Sequence, residues 1–382
     1  MSGQEAKRIT FPKDFVFACA TSSYQIEGAA YADGKGLSIW DTFCRIEGTI
    51  EDKTNGDIAC NSYYQYKEDI KILKELGITL FHWDLPQALQ DQGGFLNPKS
   101  VDWFGDYARI CYAKFGDRVK NWITINEPLI LVVYGHPCGN RTTIHAPGSL
   151  GPNASWGRYL VGHHLLLAHA NAYHIYKNEF KDQQKGEVGI TLVGPWCEPL
   201  TDNPEDVEAS LRAFDYKWSW FANPIFHPEG DYPKRMKERL AELSKKEGRI
   251  SSRLPEFTKE EIESLKGSAD FLGFNHYLGL IVRNRLPEEY TSKIPMDDLD
   301  GGFVLCNNPG KQIDPPRGWL FINDEAFKKH LNYIRTEYGN PKVIITENGC
   351  MDHLDEGLND VTRIEFVKAH LIALAQGELK ND

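Results

Sequence analysis

The 382-residue chain has no run of apolar residues long enough to span a bilayer. Its first ten residues, Met1 to Thr10, are polar and mixed in charge, without the apolar stretch of a signal peptide. The chain is accordingly read as cytoplasmic, with no membrane partner. Basic clusters are missing too, for 43 Lys and Arg stand against 54 Asp and Glu, a net charge of −11. A polyanion needs a positive footprint to bind, so nucleic acid is not an expected partner. The eight cysteines (Cys19, Cys44, Cys60, Cys111, Cys138, Cys197, Cys306 and Cys350) show no C-x-x-C spacing, which suits reduced thiols better than a disulfide framework or a zinc site. Gly93-Gly94 and Gly301-Gly302 open no helix after a strand and read as turns, not phosphate cradles. His163, His164, His169 and His174 fall in one helical stretch with no carboxylate to complete a metal set. No cofactor and no metal are expected.

What the chain does have is 41% hydrophobic and 25% charged residues, enough for a sizeable core in an ordinary globular protein. In order, Phe15-Val16-Phe17-Ala18 reads as a short buried strand, followed by a Gly-rich loop. Residues 61–76 carry apolar positions three and four apart and read as a helix closed by Gly77. Ile78 to Phe81 is the next strand, residues 100–115 a helix, and Trp122 to Asn126 a β-branched strand that runs into Glu127 and Pro128. Further helices are expected near 156–180, 207–221, 258–266, 326–338 and 362–376, with strands at 188–193, 271–277 and 343–347. Residues 285–317 have no helical period and read as a long loop beside a site.

Short apolar strands alternating with helices imply an α/β protein with a parallel sheet. Five strand ends carry polar groups: Gln25, His82, Asn126 with Glu127, Asn275 with Tyr277, and Glu347. An isolated strand-end acid is more often solvated or ion-paired than catalytic. In an eight-stranded α/β barrel, however, these ends converge on one face, where the active site lies. Two glutamates there, among neutral hydrogen-bonding groups, suit cleavage of a glycosidic bond, one as proton donor and the other as the group that attacks or activates water.

The segments Tyr24-Gln25-Ile26-Glu27-Gly28, Phe81-His82-Trp83-Asp84-Leu85-Pro86, Trp122 to Pro128 and Ile345-Thr346-Glu347-Asn348-Gly349 resemble those of glycoside hydrolase family 1, the β-glucosidases with their lactase-like and klotho-like relatives. The resemblance runs through most of the chain. It implies a (β/α)8 TIM-barrel type of fold and retaining hydrolysis of a small-molecule β-glycoside. Glu127 would be the acid/base and Glu347 the nucleophile. Gln25, His82 and Asn126 would bind the sugar, Asn275 would join that substrate-binding set, and Tyr277 would hydrogen-bond the nucleophile. Plant thioglucosidases of the family carry Gln at the acid/base position, so Glu127 favours O-glycosides.

Two pieces of the family pattern are not found. Only Gly77-Ile78-Thr79 separates the helix ending at Leu76 from the strand at Leu80, where the family has a strand bearing an Arg that pairs with the nucleophile, then a helix. A strand and helix together take roughly 30 residues or more. After Leu374 the family continues into a strand with sugar-gripping Trp and Glu residues, whereas here Gly377 to Asp382 follow. The expectation is a single barrel-type domain over 1–382, truncated at the C-terminus and lacking strands 2 and 8, which would leave the strand at Phe15 to Ala18 without either neighbour. Three readings stand: a β-glucosidase-like enzyme, a catalytically inactive glycoside- or protein-binding relative of the klotho-like kind, or a folding-defective splice or gene-model product. Which sugar, which aglycone and which protein partner are not legible.

Overall fold

The computed structural model describes residues 10–13, 15–72, 77–136, 155–290, 296–306, 310–312, 320–351, 357 and 359–378. Leu73 and Leu76, the last positions of the expected helix over 61–76, and several positions of the expected loop over 285–317 lie outside them. The strands are β1 (Gly77–Phe81), β2 (Asn121–Asn126), β3 (Glu187–Val193), β4 (Trp196–Pro199), β5 (Phe271–Asn275), β6 (Gly279–Asn284), β7 (Phe303–Leu305), β8 (Lys311–Gln312), β9 (Phe321–Ile322) and β10 (Val343–Glu347).

Five of them make the central sheet, in the order β1-β2-β3-β5-β10, and every pairing in it is parallel. Parallel strands are covered by helices on the outside and by one another's side chains on the inside, so they read as near-continuous apolar runs. Trp122, Ile125, Val188, Ile190, Phe271, Leu272 and Phe274 are accordingly buried. Helix Ser100–Phe115 follows β1, helix Gly157–Ile175 follows β2, and helix Asp324–Glu337 precedes β10. This is the α/β, (β/α)8-barrel type of fold, in which the described residues place five strands in one arc without closing the ring. Among the described residues, β1 pairs only with β2 and β10 only with β5.

Helix Gly157–Ile175 is buried around most of its circumference and packs on helix Ser100–Phe115. Each of its four histidines has one ring nitrogen within hydrogen-bond distance of a core or backbone partner. His163 meets the Tyr232 hydroxyl at 3.0 Å, His164 the Phe95 carbonyl at 2.7 Å, His169 the Thr124 hydroxyl at 2.7 Å and His174 the Ser264 carbonyl at 2.8 Å.

Two expectations are corrected. Phe15 to Ala18 joins no sheet, and Val16 and Phe17 are each 64% exposed. The rings of Phe11, Phe15 and Phe17 pack on one another instead, Phe11 tilted against Phe15 at 4.5 Å and Phe17 edge-on to Phe15 at 4.9 Å. Strand propensity has no effect without a ladder to complete, and among the described residues no strand pairs with this segment. The stretch over 285–317 is also more ordered than a loop: it contains a turn at Pro287–Glu289, helix Met296–Gly301, and β7 running antiparallel to β6. Here a six-residue helix is too short to leave a period in the sequence. Arg253 fixes it by two 2.8 Å bonds to the Asp300 carboxylate, and Arg212 by bonds to the Gly301 carbonyl at 2.8 Å and to Asn284 at 2.9 Å.

Candidate active site

The two glutamate-bearing strands share an irregularity just before their acids. In β2, Ile123 is opposite Gly189 but Asn126 is opposite Thr191, so one more residue is fitted into β2 than into β3. In β10, Ile345 is opposite Phe274 while Glu347 is opposite Asn275. Such bulges bend a strand and re-aim its side chains. Beyond its bulge the chain turns sharply: Glu127 has φ 47° and ψ 59°, a left-handed conformation, and its amide donates to the Thr191 carbonyl at 2.9 Å. A non-glycine residue there costs roughly 1–2 kcal/mol. Trp83, following β1, is likewise left-handed at φ 70°, and its indole N–H donates to the Asn126 carbonyl at 2.8 Å.

A continuous set of hydrogen bonds links the strand ends. Asn275, fully buried at the end of β5, donates from Nδ2 to Glu127 Oε1 at 2.7 Å and to Asn126 Oδ1 at 3.2 Å. Asn126 Nδ2 lies 3.1 Å from His82 Nε2. The Thr346 hydroxyl donates to Asn275 Oδ1 at 2.6 Å, and the Tyr277 hydroxyl donates to Glu347 Oε2 at 2.5 Å. Among the described residues, no Lys or Arg pairs with Glu347.

The carboxyl of Glu127 is pushed up to about 8. Burial is the main cause, the charge of Glu347 adds to it, and the hydrogen bond from Asn275 opposes it. Near neutrality Glu127 therefore holds a proton beside a second carboxyl group. Burial also lowers His82, an effect partly offset by Glu347 and Asp84, so its imidazole is neutral. Tyr277 is raised by burial, then by Glu347, and stays a donor. A protonated acid, a second carboxyl group, a phenol and neutral amide and imidazole groups form a site that can deliver a proton and grip hydroxyls.

Six of the seven expected residues are thus brought together: His82, Asn126, Glu127, Asn275, Tyr277 and Glu347. Gln25 is placed apart, exposed on the short helix Ser23–Ile26. That helix is tied to the end of β1 by the Ser23 hydroxyl, which donates to Asp84 at 2.8 Å. A cavity of about 290 Å³ beside it is lined by Ser23, Glu27, Lys35, Asp41 and Asp84, not by the paired glutamates. Thr346 and Trp83 were not among the expected residues. Regular alternation would point Thr346 away from the face that holds Glu347, and only the bulge, which has no sequence signal of its own, turns it toward Asn275. No helix among the described residues is long and apolar enough to cross a membrane, and no group of three or more His, Cys, Asp or Glu among them is arranged to hold a metal.

Comparison with known proteins gives concordant matches. The family model described as glycosyl hydrolase family 1 matches residues 7–79 and 77–380. β-Glucosidase 12 of Oryza sativa subsp. indica is 37% identical over 432 residues, covering 96% of this chain and 81% of its own length. Myrosinase 1 of Brevicoryne brassicae is 37% identical over 413 residues, covering 96% and 86%. Among solved structures, a glutamate-to-glutamine mutant of a rice β-glucosidase in a covalent complex with glucose superposes with a TM-score of 0.84 at 31% identity, covering 96% of this chain and 87% of that one. The 432 positions aligned with the rice enzyme exceed the 382 residues available here, so that relative has dozens of residues with no counterpart in this chain. The two stretches matched by the family model overlap at Gly77-Ile78-Thr79.

Proposed function

The chain belongs to glycosyl hydrolase family 1, as a β-glucosidase-like hydrolase, and from that premise we propose that it cleaves the O-glycosidic bond of a small β-glycoside with retention of configuration. Glu347 attacks the anomeric carbon as the bond to the leaving oxygen breaks, and Glu127 passes its proton to that oxygen. Glu127, now a carboxylate, takes a proton from water as the water displaces Glu347, which returns both groups to their starting states. His82 and Asn126 hold sugar hydroxyls, Asn275 holds Glu127, and Tyr277 holds Glu347.

The observation that carries this reading is the pairing of unlike carboxyl groups: Glu127 is held protonated by burial and by the charge of Glu347, while Glu347 takes the Tyr277 hydroxyl at 2.5 Å. Two acids whose environments differ in this way suit an acid/base and nucleophile division of labour. A relative captured in covalent complex with glucose agrees with a two-step route. Retention calls for a carboxyl separation of about 5 to 5.5 Å.

A 2-deoxy-2-fluoro glycoside with a good leaving group should label Glu347, and peptide mass mapping should find the adduct there. Glu347→Gln should lower turnover by several orders of magnitude. Label on another residue, or substantial turnover by the Gln variant, overturns the assignment.

One observation favours a second reading. With β1 and β10 each paired on one side and no cation pairing with Glu347 among the described residues, the site suits a glycoside-binding relative without turnover. Saturable binding of the fluoro-glycoside without any adduct selects it.

A further inference from the structure

Among the side chains bonded at the strand ends, the Thr346 hydroxyl has no part in the chemistry above. We propose that Thr346 is a positioning residue: by fixing the orientation of the Asn275 amide, it sets the direction of every hydrogen bond from Glu127 across to His82. The proposal rests on Glu127 being the acid/base.

The argument is one of donor and acceptor counting. A primary amide has two N–H donors and one carbonyl acceptor. Both donors of Asn275 are committed, to Glu127 Oε1 at 2.7 Å and to Asn126 Oδ1 at 3.2 Å. Its oxygen is fully buried and needs a donor, which Thr346 supplies at 2.6 Å. Since the Asn126 oxygen is then taken, its N–H group must face His82 Nε2 at 3.1 Å. That nitrogen accepts, so His82 carries its proton on Nδ1. One hydroxyl on β10 thus decides a tautomer at the end of β1, across the whole arc of strands.

Loss of the hydroxyl has a definite consequence. Turned by 180°, the Asn275 amide presents its oxygen to the Glu127 carboxyl group. That oxygen repels a carboxylate but accepts a hydrogen bond from a carboxylic acid, so the turned amide favours protonated Glu127. The acid is retained, but the second half of the reaction, in which Glu127 must be a base, is slowed. The β10 bulge is what makes the contact possible, because it brings Thr346 to Asn275 although its neighbour Glu347 faces the same site.

The test compares the full chain with Thr346→Val, which removes the hydroxyl at nearly constant shape, and Thr346→Ser, which keeps it. The Glu127 carboxyl is followed by 13C NMR of labelled glutamate, with Glu127→Gln for assignment, and the His82 tautomer by 15N NMR. A hydrogen bond to a charged group is large enough that its loss should raise the Glu127 midpoint by about one pH unit in Thr346→Val. The His82 signals should lose the Nδ1–H pattern in the same variant, and Thr346→Ser should match the parent in both. An unchanged midpoint and tautomer in folded Thr346→Val overturn the proposal. Neither readout needs turnover, so a chain that fails to label or hydrolyse a glycoside defeats the functional reading above and leaves this one to its own result.

Discussion

Glu127 is kept where stability alone would not put it. The residue is left-handed, buried, and raised from the ordinary carboxylate range to about 8. The folded chain therefore holds a proton that the unfolded chain gives up near pH 4.5. The stability associated with that proton is fully present below the unfolded value and is lost as pH rises through the folded one, so the site weakens the fold between about pH 4.5 and 8. Glu127→Gln should be more stable than the parent above pH 8, by on the order of a few kcal/mol, in urea unfolding followed across pH. Equal stability of the two proteins at pH 8 and above contradicts the assigned environment. The identity of this residue was legible because a β-branched run ends in Asn126-Glu127-Pro128. Its hydrogen bond from Asn275 was not, since that bond joins residues 148 positions apart through a bulge that no residue type marks.

At the scale of elements, strands with a ladder to join form where the sequence puts them, and so does helix Ser100–Phe115. Helix Ser100–Phe115 and strands β2, β3 and β10 match their expected spans closely. The segment at Phe15 to Ala18 fails for the opposite reason: its residues suit a strand, but a strand exists only as part of a ladder. Helix Ser100–Phe115 also leaves apolar side chains uncovered, with Tyr107 47% exposed and Ile110 60% exposed. β1 presents an unpaired edge among the described residues as well. Apolar faces and open edges of this kind promote association. Raising the concentration should increase the mass seen by light scattering, and Ile110→Lys should reduce that growth. A parent chain that stays monomeric throughout a wide concentration range shows instead that these faces are harmless.

For the whole molecule, buried histidines set the acid limit. Burial lowers His136 to about 4 and both His169 and His276 to about 3, and it lowers His330 strongly as well. Here the sign is the reverse of that for Glu127. These groups are neutral in the folded chain and protonated in the unfolded one below about 6.5, so their contribution is present above that pH and is lost as pH falls. His136, His169 and His276 each cost about 2 kcal/mol by pH 5, and together they rival a typical total stability of roughly 5–15 kcal/mol. Unfolding free energy should fall steeply from pH 7 to pH 5, and His276→Phe should soften that slope. A flat profile across this interval would show that the rings titrate without unfolding. Fold class was legible at this scale from the alternation of strands and helices. The junction at Gly77 to Thr79 could be singled out only because the motifs on either side of it occur in family order.

The open arc changes what holds the two acids apart. From β2 to β10 the chain crosses the β2–β3, β3–β5 and β5–β10 ladders, and each adjacent pair of strands is rotated by roughly 20 to 25°. In a closed ring those rotations are bound to a fixed total, whereas in an arc each can drift a little. The spacing of Glu127 and Glu347 then depends on curvature, restrained by the bonds that Asn275 makes to Glu127 and accepts from Thr346. A sugar seated between the acids would act as an extra stave, setting the curvature that the open arc leaves free, so part of its binding energy goes into bending the sheet rather than into affinity.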